Sequence, residues 1–189
     1  MLHYHIRPYS LEQHLWQVRL CFQQSETETI SLSLPNWVPG SYMIREFARH
    51  IVAIEARGNG QPAQLVQSDK NTWQLAATPG EWTIEYHVYA FDLSVRGAWL
   101  TRERGFFDGA CVFLRHHQRQ HEPCTLNIDG LPADWDIATS LNAADATHTF
   151  QAASYADLID HPVETGTLLR LPFSAGGIDH EIVISGHSG

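Results

Sequence analysis

Apolar residues recur at every second position along several stretches of this chain, and that period restricts the fold more than any other feature. Leu2, Tyr4 and Ile6 alternate with His3, His5 and Arg7. Trp16, Val18, Leu20 and Phe22 alternate with Gln17, Arg19 and Cys21. Ile30, Leu32 and Leu34 flank Ser31 and Ser33, and Trp82, Ile84, Tyr86, Val88 and Ala90 alternate with Thr83, Glu85, His87 and Tyr89. A period of two places all the apolar side chains of a strand on one side of a pleated ribbon, as in a half-buried antiparallel sheet. Shorter runs with strand character lie at Ile51–Ala56, Thr72–Leu75, Ala110–Arg115, Cys124–Ile128, Trp135–Ser140, His148–Ala152, Gly166–Phe173 and Ile178–Ile184.

Turn residues separate these runs. Gly58-Asn59-Gly60-Gln61-Pro62 and Pro79-Gly80 are the clearest, because Gly and Asn tolerate the backbone conformations that a reversal requires. Helical periodicity is scarce. Ser154–Ile159 predicts one short helix with Ser154 as N-cap, and Ile44–His50 predicts another. The pattern predicts an all-β fold: an antiparallel sandwich or saddle-like pair of sheets with about a dozen strands and one or two short helices. One segment departs from it. Pro35-Asn36-Trp37-Val38-Pro39-Gly40-Ser41-Tyr42-Met43-Ile44-Arg45-Glu46-Phe47-Ala48-Arg49 holds two prolines and a glycine, which forbid a continuous helix or central strand across Pro35–Gly40. It reads as an ordered, shaped loop, the kind of element that carries function or an interface.

Length and composition narrow the function classes. A chain of 189 residues suits one domain with a core of its own. The formal net charge is −9 and no run of Lys and Arg is long enough to follow a phosphate backbone. Nucleic acid and anionic membrane surfaces are therefore not expected partners. Three cysteines, Cys21, Cys111 and Cys124, show neither an even count nor a CxxC spacing, so neither a disulfide framework nor a structural zinc site is expected. The first residues lack the basic and apolar regions of a secretory signal. No stretch has the roughly 20 apolar residues of a spanning helix. Together these features predict a cytoplasmic protein.

Several chemistry-bearing patterns lapse on inspection. A helical zinc-peptidase site needs two histidines four apart with a glutamate beside the first. His121-Glu122 and His180-Glu181 both lack the second histidine, and Pro123 breaks the first context while the second is strand-like. His116, His117 and His121 read as a solvated hairpin tip. Gly186-His187-Ser188-Gly189 lacks the helix that a nucleophile elbow needs. Trp16 and Trp82 sit on apolar strand phases and read as core, whereas Trp37 and Trp99 lie near loops and leave sugar stacking open. Asp92 and Arg96, four residues apart after the most regular strand, read as a loop-closing ion pair or part of a ligand wall.

The Pro35–Arg49 segment also resembles the N-terminal domain of the glycyl aminopeptidase family of zinc metallopeptidases. Further segments agree in the same order: Asp69–Trp73, Tyr86–Arg96, Phe106–Gly109 with Val112–Leu114, Trp135–Leu141, and Tyr155–Gly166. The resemblance implies a saddle-like β domain spanning residues 1–184, with 185–189 as a tail leading to an absent catalytic domain. That following domain would hold zinc through a His-Glu-x-x-His motif. The β domain itself would hold no zinc and no catalytic residue. Its implied partners are the catalytic domain of the same polypeptide and the peptide substrate. The implied parent reaction removes an N-terminal glycine or alanine from a peptide. In this architecture the β domain walls one side of the substrate cleft. Tyr42 and Arg45 of the opening loop, Arg96, and Phe106, Phe107 and Asp108 together with Glu164 are the candidates for facing the cleft or the other domain. The alternative from the residues alone is a stand-alone β-sandwich that binds a carbohydrate or protein partner through aromatic loops. If a partner domain is missing, an exposed apolar patch larger than the few hundred Å² usual for monomers is expected.

Overall fold

The computed structural model describes residues 1–38 and 41–186; Pro39-Gly40 of the shaped loop and residues 187–189 of the tail lie outside them. Strands dominate, and they are more numerous and shorter than the sequence suggests. The first half holds β1 (Leu2–Ser10), β2 (Leu15–Gln24), β3 (Glu28–Ser33), β4 (Ile51–Gly58), β5 (Gln61–Ala63), β6 (Leu65–Gln67), β7 (Thr72–Ala77) and β8 (Gly80–Tyr89). Then come β9 (Ala98–Leu100), β10 (Arg104–Phe107), the helix α1 (Gly109–Val112), β11 (Arg115–His116), β12 (Cys124–Ile128), β13 (Asp136–Thr139), β14 (Asn142–Ala143) and β15 (Thr149–Ala152). The helix α2 (Tyr155–Ile159), β16 (Val163–Gly166), β17 (Leu168–Ala175) and β18 (Ile178–Ser185) complete the order.

An eight-stranded sheet in the order β14-β15-β12-β1-β2-β8-β4-β5 forms the base. Two four-stranded sheets, β13-β16-β10-β9 and β11-β3-β7-β6, supply the opposing layer, and β17 and β18 form a separate ribbon. All pairs are antiparallel except β1 with β12, which run parallel. Register explains the period of two. Across the base sheet Leu126, Tyr4, Leu20 and Ile84 lie in one row, and Ile128, Ile6, Val18 and Tyr86 in the next. These side chains are buried to within a few per cent of full occlusion, each worth about 1.5–3 kcal/mol against exposure. The opposite face is polar: Arg7 donates to Gln17 at 2.6 Å, and Gln17 donates to Glu85 at 2.8 Å.

Trp16 and Trp82 lie in the core as expected. Trp16 packs edge-on against Phe107 at 5.5 Å and beneath Gly105, where an added Cβ would come within 2.5 Å of its ring. Only glycine allows β10 to lie this close to the base sheet. The Gly58–Pro62 turn closes a hairpin in which Asn59 and Gly60 take φ of 49° and 76°, the type I′ geometry that suits an Asn-Gly pair.

Three elements differ from expectation. Ala110–Arg115 is not a strand: Asp108 caps α1 by accepting from the Ala110 amide at 2.9 Å, and the chain then passes through an extended step into β11. A short apolar run fits a buried helix as well as a strand, and the Asp-Gly pair ahead of it carried the deciding cap signal. The Gly166–Phe173 run is divided between β16 and β17, because Gly166 takes φ of 152° at the break. Ile44–His50 tightens to a single 3₁₀ turn at Phe47–His50. The helix at Ser154 forms as read. The Ser154 hydroxyl accepts from the Asp157 amide at 3.2 Å, and Asp157 accepts from the Ala153 amide at 2.7 Å. Ser154→Ala is expected to cost about 1 kcal/mol, measured as a shift in the urea midpoint at constant slope; no shift would mean that Asp157 alone holds this helix end.

Candidate functional site

The shaped loop is held by its neighbours. Asn71, from the Asp69–Trp73 segment, donates its side-chain amide to the Leu34 carbonyl at 2.8 Å, and Leu34 donates its amide to the Asn71 carbonyl at 3.2 Å. The Arg45 amide donates to the Asn36 carbonyl at 2.7 Å, which brings the two ends of the loop together. Trp37 donates its indole N–H to the Ser41 carbonyl. Leu34, Val38, Phe47 and Ala48 anchor the loop in the core. Its crest points outward: Tyr42 is wholly exposed, and Met43 and Ile44 are 62% and 81% exposed. Arg45 borders a cavity of about 480 Å³ shared with Asn36, Glu46, Arg49, Lys70 and Asn71. Lys70 there pairs with Glu46 at 2.9 Å.

Arg96 and Asp108 meet at a second cavity of about 320 Å³ that Val38, Val95, Asp160 and Pro162 also line. Burial pushes the Asp108 carboxyl above its ordinary range, while its N-cap bond to Ala110 and the nearby Arg96 charge pull the other way. The Arg96 carbonyl accepts from the Cys111 thiol at 3.1 Å. The loop containing Asp92 and Arg96 is closed through the backbone, by Asp92 N–H to the Ala98 carbonyl at 2.9 Å and Gly97 N–H to the Ser94 carbonyl at 3.0 Å.

Phe106, Phe107 and Glu164 separate by strand phase. Phe106 lies directly opposite Glu164 in the β10–β16 register. Both line a cavity of about 440 Å³ closed on its other side by Arg170, Glu181 and Val183 of the ribbon. Glu164 is half-buried and pairs with Arg104 at 3.5 Å, and Arg104 also donates to the Ser185 hydroxyl at 2.8 Å. Burial raises the Glu164 carboxyl, opposed by Ser185 and Arg104. Phe107 is fully buried between Trp16 and Phe113 and packs the core. The structure therefore joins Asp108 to Arg96 and leaves Glu164 with Phe106. Val95, Asp160, Met43 and Ile44 are neighbours that sequence reasoning did not single out. The β-branched Val95, set between Ser94 and Arg96, and Ile44, set beside Arg45, were the available signal.

The histidines do not converge. His116 is wholly buried, edge-on to Phe22 at 5.0 Å, instead of lying in a solvated hairpin tip, because β11 pairs with β3 beneath it. His117 bonds the Ser33 hydroxyl at 2.8 Å, and His121 is exposed. His180 lies on β18 stacked against Phe173. Among the described residues no three His, Cys, Asp or Glu side chains are placed to hold a metal ion. The three cysteines are free. No helix among the described residues is long and apolar enough to cross a membrane.

Comparison with known proteins places this geometry. The peptidase M61 N-terminal domain family matches residues 3–167. The chain belongs to that family. The M61 domain superposes on an aminopeptidase N family protein from Idiomarina loihiensis with a TM-score of 0.93 at 40% identity, covering 99% of this chain and 33% of that one. The chain thus spans about a third of the length of this solved relative. An M1 zinc metallopeptidase from Deinococcus radiodurans shares the fold, with a TM-score of 0.52 at 11% identity over 92% of this chain and 42% of the other. A variant of an M1 zinc metallopeptidase from the same organism, bound to a Tyr-Ser-Ala substrate, aligns with a TM-score of 0.53 at 12% identity over 96% of this chain and 46% of its own. No match was found among curated proteins.

Proposed function

We infer that this M61 domain is the non-catalytic N-terminal β domain of a zinc aminopeptidase that removes glycine or alanine from peptide N-termini. The family match over residues 3–167, with a solved relative three times as long, carries the reading. Residues 1–184 make the domain, and residues 185–189 lead into the catalytic domain of the same polypeptide. Zinc belongs to that second domain; the histidines and carboxylates described here do not suit it. The exposed apolar side chains Tyr42, Met43 and Ile44 of the shaped loop suit a cleft wall. Apolar side chains there exclude water, and a closed wall favours free chain ends over internal bonds. Arg45, Arg96 and Asp108 supply charges beside it, and Phe106 with Glu164 shape the neighbouring face. The partners are the catalytic domain and the peptide, with neither nucleic acid nor membrane. Three unpaired cysteines suit the reducing cytoplasm.

Two measurements test the reading. The coding sequence beyond Gly189 is expected to encode a His-Glu-x-x-His motif; a stop codon there would favour a free-standing binding module. The full-length protein is expected to release chromophore from a glycyl anilide, whereas the 189-residue chain with added zinc is expected to show no turnover. Robust turnover by the chain alone would refute its non-catalytic role.

A further inference from the structure

The ribbon of β17 and β18 lies beyond the residues matched by the family model. Gly176 and Gly177, with φ of 61° and 78°, turn it in two residues. Its register places Leu168, Arg170, Pro172 and Ser174 on one face with Ser185, Val183, Glu181 and Asp179. That face turns toward the body of the protein. Arg170 bonds Asp136 at 2.8 Å, the Ile137 carbonyl at 2.6 Å and Glu181 at 2.5 Å, while Ser185 receives Arg104.

The other face is different. Leu169 with Ile184, Leu171 with Ile182, Phe173 with His180, and Ala175 with Ile178 make four cross-strand pairs without Asp, Glu, Lys or Arg. The six large aliphatic and aromatic side chains among them are 39–64% exposed. Outward apolar residues in a strict period of two are the pattern of a sheet face inside a sandwich, not of a solvated ribbon. A two-stranded ribbon is marginal by itself in water, and a contiguous exposed apolar stripe of this kind marks an interaction surface.

We propose that the outward face of the β17–β18 ribbon is the docking surface for a following domain of the same polypeptide, which covers it with an apolar layer. This rests on the reading of the chain as part of a longer peptidase. The solved relative contains the ribbon, since 99% of this chain aligns to it, and two-thirds of that relative lies outside the alignment. The occupant is therefore polypeptide in cis with an uncharged, aliphatic face. The inner-face bonds to Asp136, Ile137 and Arg104 tie the ribbon's angle to β10 and β13, so a domain docked on the outward face lies across the ribbon from the Phe106–Glu164 cavity.

Hydrogen exchange of peptides spanning residues 168–185 tests this in the full-length protein and in the 189-residue chain. Exchange is expected to be at least roughly tenfold slower in the full-length protein. Leu171→Lys with Ile182→Lys is expected to abolish that difference and to leave the melting temperature of the 189-residue chain unchanged. Equal exchange in both proteins would overturn the proposal. So would a dimer of the short chain, dispersed by the double substitution, with no added protection in the full-length protein; the face would then be covered by a second copy. Protection without aminopeptidase turnover would remove the catalytic reading and keep the docking. Turnover with an unprotected ribbon would do the reverse.

Discussion

Replacing Tyr86 by phenylalanine is expected to destabilise the domain by about 2–4 kcal/mol, because it leaves two buried backbone groups unpaired. The Tyr86 hydroxyl donates to the Val112 carbonyl at 2.7 Å and accepts from the Leu114 amide at 3.0 Å. The segment between α1 and β11 has no strand partner, and its polar groups are sealed in the core. Three phenols replace a ladder there: Tyr86 from β8 serves Val112, Tyr155 from α2 serves Phe113 at 2.8 Å, and Tyr4 from β1 serves Leu114 at 2.9 Å. Burial raises all three phenols well above the ordinary tyrosine range, so they remain donors. For a domain of this size the loss corresponds to a fall in Tm of roughly 5–15 °C. Tyr4→Phe and Tyr155→Phe each orphan one carbonyl and are expected to cost about 1–3 kcal/mol. Urea unfolding of the three variants checks the order. A Tyr86→Phe loss no larger than the other two would mean that the Leu114 amide finds another acceptor.

Acid is expected to weaken the fold through His116. The ring is fully buried and neither nitrogen has a hydrogen-bond partner among the described residues. Burial, then the Arg119 charge, pushes its pKa down to about 4, against smaller opposing effects of Glu28 and Glu122. The unfolded chain binds this proton near pH 6.5 and the folded one only near pH 4. The unfolded state therefore holds more protons between these values. Stability from the neutral ring is complete above pH 6.5, falls as pH falls, and levels off below pH 4. A depression of this size corresponds to about 3 kcal/mol. His116→Leu keeps an apolar group against Phe22 and removes the titration. The stability difference between the two proteins is expected to move by about 3 kcal/mol in favour of the leucine variant from pH 7.5 to pH 4. Parallel profiles would show that the native ring accepts a proton without penalty.

The family and the fold class were legible for different reasons. Period-two alternation in β1, β2, β3 and β8 is a local property, since a strand half-buried in any sandwich must alternate. The Asn-Gly turn at Asn59 and the Ser154 cap are local as well, and both formed as read. The Pro35–Arg49 segment pointed to the family because its prolines, glycine and aromatics follow one another within fifteen contiguous residues, readable without any tertiary contact. What that loop packs against was not legible, because its partner Asn71 lies 37 residues away from Leu34 and reaches it only through the pairing of β7 with β3.

The site was legible only in pieces. Phe106, Phe107, Asp108 and Glu164 stood as one group in sequence. Pleating sends Phe107 into the core, and the cap of α1 turns Asp108 toward Arg96. His116 read as solvated because its neighbours are polar, yet a two-residue pairing with β3 buries it. The chain by itself determined which stretches extend, where they turn, and which family they serve, since those depend on residues close in sequence. Only the tertiary structure decided which carboxylates meet which arginines, that three tyrosines stand in for a missing ladder, and that one face of the last ribbon is left bare. Those outcomes depend on register and on layers brought together from separate parts of the chain, up to 110 residues apart for Tyr4 and Leu114, and no local period encodes them.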